Sequence, residues 1–218
     1  KPMNVCEVRH LTKEYPAFSL QDVSFDLEEG KITGFIGRNG AGKTTTIKSM
    51  LNLVHPSAGE TSFFGKKWQG NEAEIRQRIG FSSGTVNYYP KKKLSDIAAV
   101  TGSFYSGWKE TEYRNYLKRF ELDETKTPSE LSEGMKVKWN LLLALSHGAE
   151  LLILDEATSA LDNISQAKVI ENLGKINCTR ITIAHRLSTI KDCDRIIVLD
   201  KGKVAEEGTF DELLTKGG

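Results

Sequence analysis

The chain has 218 residues with 30 basic and 29 acidic side chains, which leaves a formal net charge of +1. This length allows one large domain, and the balanced charge excludes the broad cationic surface that nucleic acid requires, so we expect no nucleic-acid partner. The three cysteines form no CxxC pair, and the longest apolar stretches fall short of the ~20 residues that cross a bilayer. We therefore expect a reducing, cytoplasmic compartment and no membrane span.

Short β-branched or aliphatic runs alternate with longer amphipathic segments, which is the pattern of a mainly parallel sheet flanked by helices. The predicted strands cover residues 23–27, 31–36, 78–83, 151–155, 180–183 and 195–199. The last of them turns back as a hairpin through residues 200–203, which adds an antiparallel β part. Helices are predicted at about residues 43–53 and 135–147. The predicted fold class is α/β.

Between residues 84 and 131 the sequence becomes aromatic and helical, which predicts an inserted helical lobe. We expect a single domain over residues 1–218, with 1–84 and 150–218 as the core with its β part and about 85–149 as the helical subdomain. The aromatic side chains near helical spacing are Phe104, Tyr105, Trp108, Tyr113, Tyr116 and Phe120. Helix packing is the favoured interpretation of this stripe, and a ligand-binding surface is the alternative.

A phosphate-binding loop follows the predicted strand 31–36, because residues 37–44 read GRNGAGKT and match the pattern GxxxxGK[ST]. Glycines let successive N–H groups turn toward phosphate oxygens, and the helix that follows adds positive potential. Lys43 is predicted to reach the β- and γ-phosphates as a catalytic residue, and Thr44 to place its hydroxyl on Mg²⁺. The predicted nucleotide-binding residues of the loop are Gly37, Asn39, Gly40, Ala41, Gly42, Lys43, Thr44 and Thr45. The loop alone does not separate kinases, GTPases, motor proteins and transporter ATPases.

Two carboxylates, Asp155 and Glu156, follow the apolar run 151–154, at the end of a strand where open α/β sheets bind ligands. Asp155 is predicted to ligate Mg²⁺ through water, and Glu156 to orient and polarise an attacking water molecule. Acidic pairs at strand ends are also common surface caps, and the phosphate loop favours the catalytic interpretation. His185 follows the strand 180–183 and is predicted to donate a hydrogen bond to the γ-phosphate, with a structural role as the alternative.

These motifs, with LSEGM at residues 131–135 and SALD at residues 159–162, occur in the order seen in ABC transporter nucleotide-binding domains, which the whole chain resembles. The resemblance implies ATP and Mg²⁺ as cofactors, ATP hydrolysis, and a nucleotide-dependent homodimer that pairs head to tail. In such a dimer Ser132 and Gly134 contact the ATP of the other subunit, and Asp162 lies near the seam. The resemblance also implies that adenine stacks on Tyr15, for which a plain surface tyrosine is the alternative.

The same resemblance implies a partner and a location. Members of this family drive transport through a transmembrane subunit, so we expect the chain at the inner face of a membrane, held there by a channel subunit. Two alternatives stay open: a nucleotide-binding module with little hydrolysis, and a non-transport ABC ATPase. The second is disfavoured because residues 43–131 leave no room for a long coiled-coil arm.

Three features depart from the family pattern. Glu133 and Met135 replace the second glycine and the glutamine of the usual LSGGQ signature, and Glu133 is expected to point away from the nucleotide because its charge would repel phosphate. Gly84 stands where the family usually has a glutamine that touches Mg²⁺ and the attacking water, so we expect slow hydrolysis. Residues up to about 156 resemble stand-alone subunits and the rest resembles exporters, which suggests a hybrid chain.

Overall fold

The computed structural model describes residues 3–83, 89–155, 178–184 and 187–215, together with residues 169, 171, 173, 174 and 176. These residues fall into two compact units, one formed by the chain up to residue 75 and again from residue 178, the other by residues 76–177. Within the described ranges, no helix combines the length and the apolar character that a bilayer crossing requires. The three cysteines are buried free thiols.

The strands and helices next to the sequence motifs begin and end close to the predicted residues. The strands are β1 (Asn4–Tyr15), β2 (Phe18–Glu28), β3 (Ile32–Ile36), β4 (Ala58–Phe63), β5 (Lys66–Lys67), β6 (Ile79–Ser82), β7 (Leu151–Leu154), β8 (Thr179–Ile183), β9 (Arg195–Asp200) and β10 (Lys203–Gly208). The helices are α1 (Lys43–Met50), α2 (Glu72–Arg78), α3 (Leu94–Ser103), α4 (Glu110–Phe120), α5 (Glu133–Ser146), α6 (Leu187–Ile190) and α7 (Phe210–Thr215).

The first unit contains an antiparallel sheet in the order β2-β1-β4-β5. Strand β1 is its centre, because it pairs antiparallel with β2 on one side and with β4 on the other. Buried apolar residues line β2 on alternate positions from Val23 to Leu27, so one face of the strand packs inward and the other faces solvent. The predicted strand 23–27 therefore lies inside a longer one.

The parallel part of the first unit is built around β3. Strand β3 pairs parallel with β8 and with β9, and β9 pairs antiparallel with β10 through the predicted hairpin. The rings of Phe25 and Phe35 lie 5.5 Å apart and join the two sheets, while Ala184, Ile190 and Ile196 form a core on the other side of β3. Strand β3 is covered on both faces, and it ends directly before the phosphate loop.

The second unit combines the parallel pair β6 and β7 with a group of helices. Tyr113, Tyr116 and Phe120 are buried on α4, and the ring centres of Tyr113 and Trp139 on α5 lie 6.3 Å apart in an edge-to-face arrangement. This confirms the packing interpretation for these three aromatic residues, whereas Phe104 is 72% exposed. The second unit contains β6 and β7 as well as the helices, so it is larger than the predicted helical subdomain. The predicted subdomain boundaries near residues 85 and 149 stay predictions.

Candidate functional site

The predicted phosphate loop joins β3 to α1 in the first unit, and its backbone requires glycine. Gly37 has φ +152° and Gly42 has φ +105°, in a region that residues with side chains rarely adopt. A Cβ atom on Gly42 would lie 2.9 Å from the Phe18 ring, and one on Gly37 would lie 2.3 Å from the Leu199 carbonyl oxygen. Conformation and close packing thus both explain why these positions are glycines.

The first turn of α1 is suited to an anion. Gly42 is the N-cap residue and makes no side-chain capping hydrogen bond, and no acidic residue stands in the first turn. A helix N-terminus carries partial positive charge, and here no side chain of the first turn neutralises it. A phosphate group fits this position because backbone N–H donors and the helix dipole both favour negative charge.

Lys43 places its ammonium group inside the loop. The side chain is buried, and its Nζ atom donates hydrogen bonds to the carbonyl oxygens of Gly37 at 2.7 Å and Arg38 at 3.1 Å. A hydrogen bond from an ammonium group to a charged phosphate oxygen is stronger than one to a neutral carbonyl oxygen. Lys43 is therefore positioned to exchange a loop carbonyl for a phosphate oxygen.

A hairpin turn that the sequence analysis did not assign to the site supports the loop from behind. The Gly202 N–H donates to the Ala41 carbonyl at 3.0 Å, and the Gln21 N–H donates to the Gly202 carbonyl at 2.8 Å. The turn between β9 and β10 thus ties the phosphate loop to β2. In the sequence, the glycine at position 202 predicts a turn, but it does not indicate that the turn contacts Ala41.

Tyr15 ends β1 close to the phosphate loop. It faces Phe18 across the β1–β2 pair, and the Phe18 ring contacts Gly42 of the loop. The Tyr15 side chain is 41% exposed, and Lys13 Nζ lies 5.3 Å from its ring centre. An exposed ring beside the loop suits stacking on a base. The sequence analysis did not predict that Phe18 lies between Tyr15 and the loop.

Asp155 follows β7 in the second unit and is buried, with 4% of its surface exposed. Its N–H donates to the Ser82 carbonyl at 2.8 Å, which extends the β6–β7 pairing and holds the carboxylate at the strand end. Thr44, the other predicted Mg²⁺ ligand, is half-buried in the first unit. Mg²⁺ prefers oxygen ligands, and a hydroxyl and a carboxylate both supply them. The described residues hold no cluster of three metal-binding side chains. Such a cluster is not needed for an Mg²⁺ ion that is bound largely by phosphate and water.

The LSEGM segment opens α5 in the second unit. Ser132 is the N-cap of this helix, and its hydroxyl accepts a hydrogen bond from the Met135 N–H at 3.2 Å. The helix begins two residues before the predicted start because this cap lies ahead of Glu133. Lys136 Nζ lies 2.6 Å from the exposed Glu133 carboxylate, and Gly134 stands in the first turn.

Four residues of the predicted machinery lie outside the described residues: Glu156, Asp162, His185 and Gly84. Their roles stay predictions. Within the first unit the structure brings together the glycines of the loop, Lys43, Thr44 and Tyr15. Asp155, Ser132 and Gly134 lie in the second unit.

Comparison with known proteins identifies the family to which the chain belongs. The family model described as ABC transporter matches residues 20–159. The bacitracin transport ATP-binding protein BcrA of Bacillus licheniformis is 33% identical over 96% of this chain, which spans 71% of BcrA. The transport/processing ATP-binding protein ComA of Streptococcus pneumoniae is also 33% identical over 96% of this chain, which spans only 31% of ComA.

A solved structure shows the same fold. The ATP-binding subunit of an ABC transporter superposes with a TM-score of 0.88 at 28% identity, and the match covers 98% of this chain and 93% of that subunit. The α/β fold, the phosphate loop and these relatives agree, and the chain belongs to the ABC transporter family as an ATP-binding domain of the P-loop ATPase type.

Proposed function

We propose that this chain binds MgATP at the phosphate loop, hydrolyses the γ-phosphate by in-line attack of water, and drives transport through a separate membrane subunit. The observation that carries the proposal is the loop itself: glycines at positive φ, an uncapped first turn of α1, and the Lys43 ammonium turned into the loop. Together these features form a cradle for a triphosphate.

Nucleotide binding follows from the groups of the first unit. The backbone N–H groups at residues 40–45 would donate to phosphate oxygens, and Lys43 would exchange its bonds to the loop carbonyls for bonds to the β- and γ-phosphates. Adenine would stack on the exposed ring of Tyr15. The hairpin turn at Gly202 and the ring of Phe18 contact the loop and would help to hold its shape around the nucleotide.

Hydrolysis would use groups at the end of β7 and beyond. Thr44 and Asp155 would hold Mg²⁺, and the ion would offset the charge of the β- and γ-phosphates. The backbone bond from Asp155 to Ser82 keeps the buried carboxylate in place. Glu156 would orient the attacking water, and His185 would donate a hydrogen bond to the γ-phosphate.

The partners follow from the family and its relatives. We infer that two copies pair head to tail, so that Ser132 and Gly134 of one copy close on the ATP of the other, with Asp162 near the seam. A transmembrane transporter subunit would hold the chain at the cytoplasmic face of a membrane. BcrA and ComA carry transport in their names, which supports this assignment. The relatives do not test the hybrid origin suggested by the sequence, and it stays a prediction.

Calorimetry with MgATP tests the phosphate loop. Lys43→Met keeps the length of the side chain and removes its charge, and we expect about a hundredfold loss of affinity because charged bonds to phosphate are lost. Lys48→Met is the matched control, since Lys48 is exposed on the same helix, and its affinity should stay within about twofold. A wild type without measurable affinity for MgATP would sink the proposal.

A second variant tests ATP hydrolysis and dimer formation. Glu156→Gln should bind MgATP normally, hydrolyse it more than about a hundredfold more slowly, and elute as a dimer only when ATP is present. If wild type and Glu156→Gln hydrolyse ATP equally slowly, the chain is a nucleotide-binding module rather than an ATPase.

A further inference from the structure

The tight turn between β9 and β10 has a backbone shape that its neighbours fix. Asp200 pairs with Lys203, so the turn itself consists of Lys201 and Gly202, which have φ +46° and +78°. Positive φ at both residues is the pattern of a type I′ hairpin turn. A Cβ atom on Gly202 would lie 2.0 Å from the Ser19 carbonyl oxygen, so glycine is required for the turn to lie this close to β2.

The backbone of Gly202 is hydrogen-bonded on both sides. Its N–H donates to the Ala41 carbonyl of the phosphate loop at 3.0 Å, and its carbonyl accepts from the Gln21 N–H at 2.8 Å. Gly202 is also buried. The hairpin and β2 thus hold the Gly202 N–H against the phosphate loop.

The Ala41 carbonyl is the oxygen that a longer α1 would use. In an α-helix each N–H donates to the carbonyl four residues earlier, so a helix extended by one residue would join the Thr45 N–H to the Ala41 carbonyl. The first such bond of α1 instead runs from the Thr46 N–H to the Gly42 carbonyl at 2.8 Å. Gly202 takes the Ala41 carbonyl, and the Thr45 N–H makes no hydrogen bond with any residue that the structure describes.

The peptide bond between Ala41 and Gly42 is turned out of the helical orientation. Gly42 has φ +105°, whereas helical residues have φ of about −63°. A trans peptide is planar and has its C=O and N–H on opposite sides, so the Gly42 N–H is directed away from the hairpin. This N–H also lacks a hydrogen-bond partner in the described part of the chain. Two backbone donors, those of Gly42 and Thr45, are therefore available at the start of α1.

We propose that Gly202 is a positioning residue for nucleotide binding. Its N–H holds the Ala41–Gly42 peptide bond out of the helical orientation. As a result the N–H groups of Gly42 and Thr45 stay available to phosphate oxygens. Without the Gly202 donor this peptide bond would rotate toward the helical orientation, and the Ala41 carbonyl would accept the Thr45 N–H. The inference rests on the proposed binding of MgATP at the loop and adds a residue that lies outside the loop.

Replacement of a single backbone group tests the proposal. An ester oxygen in place of the Gly202 N–H removes the donor and adds no side chain, which avoids the clash of Gly202→Ala with Ser19. Cys193 makes this change accessible in the full chain, because a synthetic segment 193–218 that begins with cysteine can be ligated to a recombinant segment 1–192. The same ester at Lys201 is the matched control, since the Lys201 N–H makes no hydrogen bond within the described ranges. The all-amide chain assembled in the same way is the reference, and melting curves check that each chain folds.

Calorimetry and steady-state kinetics with MgATP measure the effect. We expect the ester at Gly202 to weaken MgATP binding at least about tenfold and to raise KM by a similar factor, with kcat within about twofold. The ester at Lys201 should keep the affinity within about twofold. A contact that only stabilised the fold would lower the melting temperature without separating KM from kcat. If the reference chain binds MgATP and both esters bind it equally well, the inference is overturned and the proposed function stands, whereas a reference chain without affinity overturns the proposed function itself.

Hydrogen exchange at Thr45 reports the orientation of the peptide bond. With isotope-labelled threonine in the recombinant segment, the Thr45 amide of the reference chain should exchange rapidly without nucleotide and at least about tenfold more slowly with MgATP. In the chain with the ester at Gly202, this amide should be protected to a similar extent without nucleotide, because the Ala41 carbonyl is then free to accept it. Slow exchange in the nucleotide-free reference chain, or equal exchange in both nucleotide-free chains, would refute the inference.

Discussion

Tyr105 and His147 stack face to face in the second unit, with ring centres 4.0 Å apart and ring planes 9° from parallel. His147 is buried, and its Nδ1 atom has no hydrogen-bond partner among the described residues. Burial lowers the pKa of His147 from its ordinary value of 6.5, because an imidazolium ion is poorly solvated there. The stack therefore depends on a neutral histidine.

The lowered pKa of His147 predicts a loss of stability in acid. In the folded state the imidazole binds protons less readily than in the unfolded state, so its contribution to stability is complete above pH 6.5 and is lost as the pH falls below that value. His147→Phe keeps an aromatic ring against Tyr105 and cannot titrate. We expect the difference in melting temperature between pH 7.5 and pH 5.5 to be smaller for this variant than for the wild type. His55→Gln, at an exposed histidine, is the control, and an unchanged pH dependence in His147→Phe would contradict the prediction.

Gly42→Ala is predicted to disrupt the phosphate loop. The residue has φ +105°, and its Cβ atom would meet the Phe18 ring at 2.9 Å, so both strain and a steric clash oppose the change. We expect a loss of about 1–3 kcal/mol in the free energy of unfolding and no measurable MgATP binding. Gly65→Ala is the matched control, because Gly65 has φ +74° with open space around it. It should lose about 1 kcal/mol and bind MgATP normally, and equal loss of binding in both variants would show a global effect.

The sequence predicted β3 and α1 well because glycine spacing and the apolar run are local signals that require a strand, a tight loop and a helix. It did not predict β4 or β5. Strand β4 reads AGETSF and has no clear alternation, and it forms because β1 offers a free edge for pairing. The bond from Gly202 to Ala41 joins positions far apart in the chain, and no single-sequence pattern identifies such pairs. The sequence thus predicted the phosphate loop and its flanking elements, but it did not predict the long-range contacts that support them.

Gly84 predicts slow hydrolysis. The family usually has a glutamine at this position, where it touches Mg²⁺ and the attacking water, and a glycine supplies neither contact. Gly84→Gln should therefore raise the steady-state ATPase rate several-fold at saturating MgATP, with little change in nucleotide affinity. Gly174→Gln, at an exposed glycine with open space around its Cα, is the control and should not change the rate. A wild type as fast as vigorous family members, or a Gly84→Gln variant without gain, would refute this expectation.

Ser132 permits a test that separates its structural role from its proposed functional one. Its hydroxyl caps α5 by accepting the Met135 N–H, so Ser132→Ala should cost about 1 kcal/mol of stability. Aspartate is an equally good N-cap and is favoured by the helix dipole, so Ser132→Asp should keep the stability of the wild type. The added charge would, however, repel the phosphates of an ATP bound by the second copy. Ser132→Asp in a Glu156→Gln background should therefore melt like its parent and bind MgATP as a monomer, yet fail to form the ATP-dependent dimer in size-exclusion chromatography. If that dimer forms normally, Ser132 only caps the helix, and its place at the seam is wrong.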